Sequence, residues 1–141
     1  MDDSTDGATL RRALGLAPIR VPIGWAVSTP LTYPDGDRIA FYVRRDGAGW
    51  IVEDDGEAIP GYLAAGGSFA RGGEARRLAS RSGIDYDAGR ATLSLRAAGL
   101  DAVRPAAMRL VGLLCRLRHP VLGMKGHYPG LFEGGRSETV A

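Results

Sequence analysis

Between Arg38 and Asp54 apolar side chains recur at every second position. Ile39, Phe41 and Val43 alternate with Arg38, Ala40, Tyr42 and Arg44, and after a short gap Trp50 and Val52 resume the rhythm. A period of two is the signature of a strand with one face buried. Asp46-Gly47 lies between the two runs and tolerates the positive φ of a tight turn, so the segment predicts a β-hairpin. With Asp46-Gly47 as the loop, Val43 faces Trp50, Phe41 faces Val52, Ile39 faces Asp54 and Arg38 faces Asp55; a longer loop that includes Ala48-Gly49 would shift this register. Upstream, Trp25, Val27 and Thr29 alternate with Ala26 and Ser28, which predicts a first strand over Gly24–Thr29 after an extended segment bracketed by Pro18 and Pro22. The three strands then form an antiparallel meander.

Elsewhere the period lengthens. Leu10 and Leu14 predict a short helix over Thr9–Leu16 behind a disordered start (residues 1–8). Ala58–Ala65 reads as a helix whose Pro60 is tolerated in the first turn. Asp54 and Glu57 have the spacing of a capping box, with Asp55 a rival cap. Gly66-Gly67 ends that helix and opens the glycine-rich stretch 66–73. Glu74–Ser82 predicts a further helix, and Ile84–Tyr86 with Thr92–Leu95 a small second hairpin around Asp87-Ala88-Gly89. Leu100, Val103, Ala107, Leu110, Val111, Leu114 and Leu117 share one face of a long helix over Leu100–Arg118, which Pro120 stops. The expected fold is therefore α+β: a single domain over residues 9–120, helices over the apolar face of the meander, and a glycine-rich tail over 121–141 expected to pack loosely.

Composition narrows the class. A chain of 141 residues with 45% hydrophobic and 24% charged residues suits one soluble domain with a core of its own. No apolar run approaches the roughly 18 residues of a membrane span, and the acidic start Met1-Asp2-Asp3-Ser4 reads as neither a signal nor a transit peptide. A single cysteine, Cys115, forms no internal disulfide and points to a reduced, cytoplasmic setting. Of the 18 basic residues all but Lys125 are arginine, a pattern that coding bias in a GC-rich genome accounts for. Their placement says more. Residues 1–60 hold ten acids and six arginines, whereas residues 61–141 hold six acids and twelve basic residues. The small net charge of +2 thus conceals a chain acidic in its first part and basic in its second.

The residues of the hairpin resemble a known family. Ser28-Thr29-Pro30, Asp37-Arg38-Ile39-Ala40-Phe41-Tyr42-Val43, Ile51-Val52-Glu53-Asp54-Asp55-Gly56-Glu57, and the following Ile59 and Leu63 are similar to a family of small bacterial and phage proteins known as domain of unknown function 1828. The likeness covers about residues 20–118; the glycine-rich loop and the tail lie outside its pattern. The resemblance implies an α+β domain from bacteria or mobile elements. It brings no catalytic residues to transfer.

Three chemistries compete. An antiparallel hairpin gathers Asp35, Asp37, Asp54, Asp55 and Glu57 at one edge, where carboxylates could hold Mg²⁺ or Mn²⁺ for phosphodiester hydrolysis, with Asp37, Asp54 and Asp55 as the cluster. Against this, Glu53-Asp54-Asp55 is followed by no lysine, and a turn, a helix cap and an Arg38–Asp55 ion pair explain the same residues. The stretch Gly66–Gly73 precedes a helix, yet matches no phosphate-binding motif and reads as a flexible loop. Arg71, Arg76, Arg77 and Arg81 surround the helix over 74–82; with Arg104, Arg109, Arg116 and Arg118 they make a candidate partner-binding face for nucleic acid or an acidic protein. A solvated face is the plainer alternative. His119 and His127 have no metal-ligand or triad spacing, and Trp25 and Trp50 read as core. The leading expectation is a non-enzymatic, cofactor-free binding protein of phage or mobile-element type. It would modulate or inhibit a host protein or ribonucleoprotein complex, such as a nuclease-based defence system, in the manner of an anti-CRISPR protein. The alternatives are a small nucleic-acid-binding regulator using the arginines, and the metal-dependent phosphodiesterase.

Overall fold

A computed structural model of the chain describes residues 3–33, 36–56 and 58–118. These residues form helix α1 (Asp3–Leu14), strands β1 (Pro18–Val21), β2 (Gly24–Thr32), β3 (Arg38–Asp46) and β4 (Gly49–Glu53), helices α2 (Ala58–Ala64) and α3 (Glu74–Arg81), strands β5 (Asp85–Asp87) and β6 (Thr92–Ala97), and, after a 3₁₀ turn at Leu100–Ala102, helix α4 (Val103–Arg118). The strands make one antiparallel sheet in the order β1-β2-β3-β4-β6-β5. The fold is α+β, with the expected meander at its centre. The second hairpin is not separate from it. β6 pairs with β4, so the meander and the hairpin are one sheet, and β1 extends the other edge.

Period-two alternation places Trp25, Val27, Ile39, Phe41, Val43, Trp50, Val52, Leu93, Leu95 and Ala97 on one face, all buried. Helices cover that face. α4 packs across β3, β4 and β6 with Val103, Leu110 and Leu114 fully buried, while α1 lies over β1 and α3 over β5. Trp25 and Trp50 close one end of this core with ring centroids 6.2 Å apart. Each indole is covered by an arginine from a neighbouring strand, Arg20 at 5.0 Å and Arg45 at 4.7 Å. Both tryptophans are core residues, as their period predicts.

The register of the central hairpin differs from expectation. The loop is Gly47-Ala48, Asp46 pairs with Gly49, and Val43 faces Val52 rather than Trp50. Gly47 takes φ 63° at the first loop position, the requirement of a turn with glycine leading. Sliding the ladder by two residues preserves every inward-facing side chain, so the hydrophobic pattern could not distinguish the two registers. The slide matters at the far end. The β3–β4 ladder ends at Tyr42–Glu53, so Asp54 is not opposite Ile39, nor Asp55 opposite Arg38.

Helix ends follow local chemistry. α1 starts at Asp3, six residues before the predicted start, because buried Asp6 continues the Leu10–Leu14 stripe as a polar residue that an apolar pattern passes over. Gly66 (φ 96°) ends α2: its N–H reaches Leu63 O at 3.0 Å, and the N–H of Gly67 reaches Tyr62 O at 2.9 Å, a Schellman closure. Pro60 and Pro105 each sit within the first turn of their helix. The tail over 121–141 lies outside the described residues, as do His119 and His127.

Gly24 is where the β1–β2 turn meets β3. It holds φ 152°, and a Cβ there would stand 2.3 Å from the backbone oxygen of Val43. Neither side can retreat without breaking the ladder. Gly24→Ala is expected to lower unfolding free energy by about 1–3 kcal/mol or more through overpacking, read as a lower midpoint in urea at unchanged slope.

Candidate functional site: two buried carboxylates and an arginine-bearing helix layer

The expected five-carboxylate edge resolves into separate roles. Asp35 and Glu57 lie outside the described residues. Asp37 and Asp55 are exposed, and Asp37 accepts the N–H of Tyr33 on its backbone oxygen at 2.8 Å. Asp54 turns inward and is 2% exposed. Its Oδ1 accepts the N–H of Leu93 at 2.8 Å, its Oδ2 accepts the N–H of Ala58 at 3.4 Å, and its own N–H donates to Leu93 O at 3.0 Å. One side chain thus ties the end of β4 to the start of β6 and to the first turn of α2. Burial pushes the Asp54 carboxyl above its ordinary value. The N–H groups of Leu93, Ala58 and Gly56 act against that shift, and neighbouring Asp55 adds to it. Among the described residues no three histidine, cysteine, aspartate or glutamate side chains come together to hold a metal ion. Of the three described carboxylates that were expected to converge, Asp54 is buried while Asp37 and Asp55 are exposed.

The sequence pattern missed Glu53. It lies on the sheet face away from the helices, yet is 2% exposed. Arg44, diagonal to it across β3–β4, approaches with Nε 3.3 Å from Oε1; Arg90, from the β5–β6 loop, brings Nη2 to 3.5 Å from Oε2. Two partly exposed arginines lie over one buried carboxylate and bind the second hairpin to the meander. The signal was the single acid at an outward position of a strand otherwise free of acids, but its second partner comes from 37 positions later in a loop. On the same face Arg96 pairs with Asp46 across β4.

The arginines of the predicted binding face also divide. Arg76 is spent inside the protein. Its guanidinium lies 5.3 Å from the ring centre of Phe69 and 5.0 Å from that of Tyr86, and Nη1 donates to Phe69 O at 3.3 Å. Phe69 itself is 6% exposed and meets Tyr86 edge-on at 4.8 Å. The stretch Gly66–Gly73, expected to be a flexible loop, is therefore pinned to the core by its one aromatic residue. Arg77 donates to Gly72 O but remains exposed. Arg71 and Arg81 are exposed around α3, Arg104 and Arg109 are exposed on α4, and Arg116 on α4 is half-buried. Arg11 and Arg12 in the last turn of α1 are exposed as well and were not among the predicted site residues. They belong with the rest because α1 packs beside α4. The arginine face is thus the outside of the helix layer, wider than the surroundings of α3.

Residues 29–116, more than half of the chain, match the family described as domain of unknown function DUF1828. The chain belongs to this family. No curated protein and no solved structure matches it. The DUF1828 span runs from Thr29 to Arg116, and its first residue has a structural role. The Thr29 hydroxyl donates to Ile39 O at 2.8 Å and accepts the N–H of Leu31 at 3.1 Å, holding the irregularity where β2 passes Pro30. Glu53 and Asp54 lie within the same span. Cys115 is 2% exposed, and burial raises its thiol to about 12, so it is no nucleophile at neutral pH.

Two outcomes follow for the carboxylates. Asp54→Ala strands the buried N–H of Leu93 and should cost about 1–3 kcal/mol for each donor left unpaired. A carboxyl whose folded value is raised contributes stability that is full in acid and is lost as pH rises through that value. The advantage of the native chain over Asp54→Asn is therefore expected to be larger at pH 4 than at pH 7 in urea unfolding; a gap that widens toward neutrality would contradict the burial argument. For Glu53, the double change Arg44→Ala/Arg90→Ala leaves a buried charge uncompensated and is expected to cost about 3 kcal/mol. Glu53→Gln should cost less, because the arginine heads regain water.

Proposed function

We propose that this DUF1828 protein is a non-enzymatic binding protein that docks on an acidic protein or nucleoprotein surface through the outside of its helix layer. One observation carries the reading. Arg11, Arg12, Arg71, Arg77, Arg81, Arg104 and Arg109 are all exposed on that layer, while Glu74 and Asp101 are its exposed acids among the residues whose side chains are described. On the sheet side, by contrast, Arg44 and Arg90 are matched to Glu53 and Arg96 to Asp46. A one-signed field on one side of a molecule speeds encounter with the opposite charge and orients it. Rigid helices carry most of these residues, which suits a preformed docking surface. The target we favour is a host protein or a ribonucleoprotein complex, nuclease-based defence machinery among them, engaged in the cytoplasm by an accessory protein of phage or mobile-element type. Guanidinium groups bind carboxylate and phosphate in the same forked geometry, so the exposed arginines suit an acidic protein or a nucleoprotein surface alike. No helix among the described residues is long and apolar enough to cross a membrane.

The helix-layer reading is tested by charge reversal. Arg81→Glu/Arg104→Glu/Arg109→Glu is expected to weaken binding to fluorescein-labelled polyglutamate and to a 20-base-pair duplex at least tenfold, whereas Arg38→Glu on the sheet should change it less than twofold. If the duplex is bound more tightly than polyglutamate, and the triple variant reduces the log–log salt slope by about three, the protein is a nucleic-acid-binding regulator. Equal losses from the triple variant and from Arg38→Glu would remove the helix layer from consideration.

A further inference from the structure

A groove of about 390 Å³ opens between the end of α1, the middle of β2 and the first half of α4. Leu14, Leu16, Leu31 and Phe41 form its floor and sides, and exposed Met108 and Arg104 stand on the α4 side. Its single polar side chain besides Arg104 is Thr29, whose hydroxyl is committed to Ile39 O and the Leu31 N–H. The side chains of the interior are therefore apolar, and the one charge lining it is positive. Such a site takes a hydrocarbon or aromatic group attached to something anionic.

The surroundings decide what carries that group. Arg11 and Arg12 are exposed in the turn of α1 that leads to Leu14, and Arg104 faces them from the α4 side of the groove. Asp101, three residues before Arg104, is the exposed acid at that end. An amphiphile with one carboxylate would engage one of these cations and leave the rest unmatched. An acidic stretch of polypeptide would engage several. The volume stands at the small end of ligand pockets and suits one or two bulky side chains. We infer that the groove seats an aromatic or large aliphatic side chain of an acidic protein segment, whose carboxylates lie over Arg104 and its neighbours. The inference rests on the docking role proposed for the helix layer and adds the anchor that gives such docking a register. An apolar residue in a pocket surrounded by charge is the usual anatomy of a short-segment hot spot.

The probes are two fluorescein-labelled dodecapeptides of glutamate, aspartate and glycine, one with a central phenylalanine and one with serine in its place. Anisotropy titration of the full chain is expected to show at least tenfold tighter binding of the phenylalanine peptide. The ratio should fall toward one in Ala107→Leu, which narrows the groove without changing charge, and in Met108→Ser, at a position 38% exposed where folding is not at stake. Arg104→Glu should weaken both peptides alike. If both peptides bind the native chain equally, or the preference survives in both variants, the groove inference is wrong while the arginine-face reading stands. If neither peptide binds, both fall. Decanoate bound more tightly than the phenylalanine peptide would overturn the inference in favour of a small amphiphile.

Discussion

The Asp54 carboxylate is the interaction on which this architecture depends. β4 and β6 are neighbours in the sheet but are separated by two helices and a hairpin strand, so their pairing closes a long loop whose entropy must be recovered at the junction. Asp54 recovers it by accepting the first available N–H of β6 and the first N–H of α2 with the same group. Strand pairing, helix initiation and chain reversal are thereby decided together. A short polar side chain is needed, because a longer one would carry its oxygens past both donors. Ionisation strengthens the hydrogen bonds and burial opposes it, and the raised carboxyl value records that conflict.

Much of the fold was legible because it is written in periodicity. The alternation of Ile39, Phe41 and Val43, the stripe from Val103 to Leu117, and the glycines after α2 and α3 each report a local rule that tertiary packing respects. What was not legible depends on pairs far apart in sequence. The hairpin register escaped because a slide of two residues leaves the same side chains inside. The fusion of the second hairpin with the meander escaped because its short, clean alternation says nothing about which strand it will join. The start of α1 escaped because Asp6 is a buried polar residue in an apolar stripe.

The candidate site shows the same division. The acidic run was visible, and so was the possibility that it is a cap, but its partition into Asp54 inside and Asp55 outside required the true end of the β3–β4 ladder. Glu53 attracted no notice because its meaning lies in Arg44 and Arg90. Arg76 looked like its neighbours on the helical wheel, yet two aromatic rings from either side of α3 claim it. Counting arginines along the chain located charge in the second half; only the packing of α1 against α4 converts that into a side of the molecule. Within the DUF1828 span, Thr29 holds the irregularity of β2, and Glu53 and Asp54 stand where β4 meets the second hairpin and α2, so these polar residues serve the assembly of the sheet.

Cys115 has a practical side. It is the chain's one thiol, it is enclosed by the central helix, and its proton is held far above neutral pH by burial. Alkylation by a reagent such as iodoacetamide must wait until α4 leaves the sheet. The native sequence therefore contains its own clock for opening of the domain. Labelling rates measured with and without a bound partner would convert directly into the free energy by which that partner holds the fold closed, with no probe introduced and no residue changed.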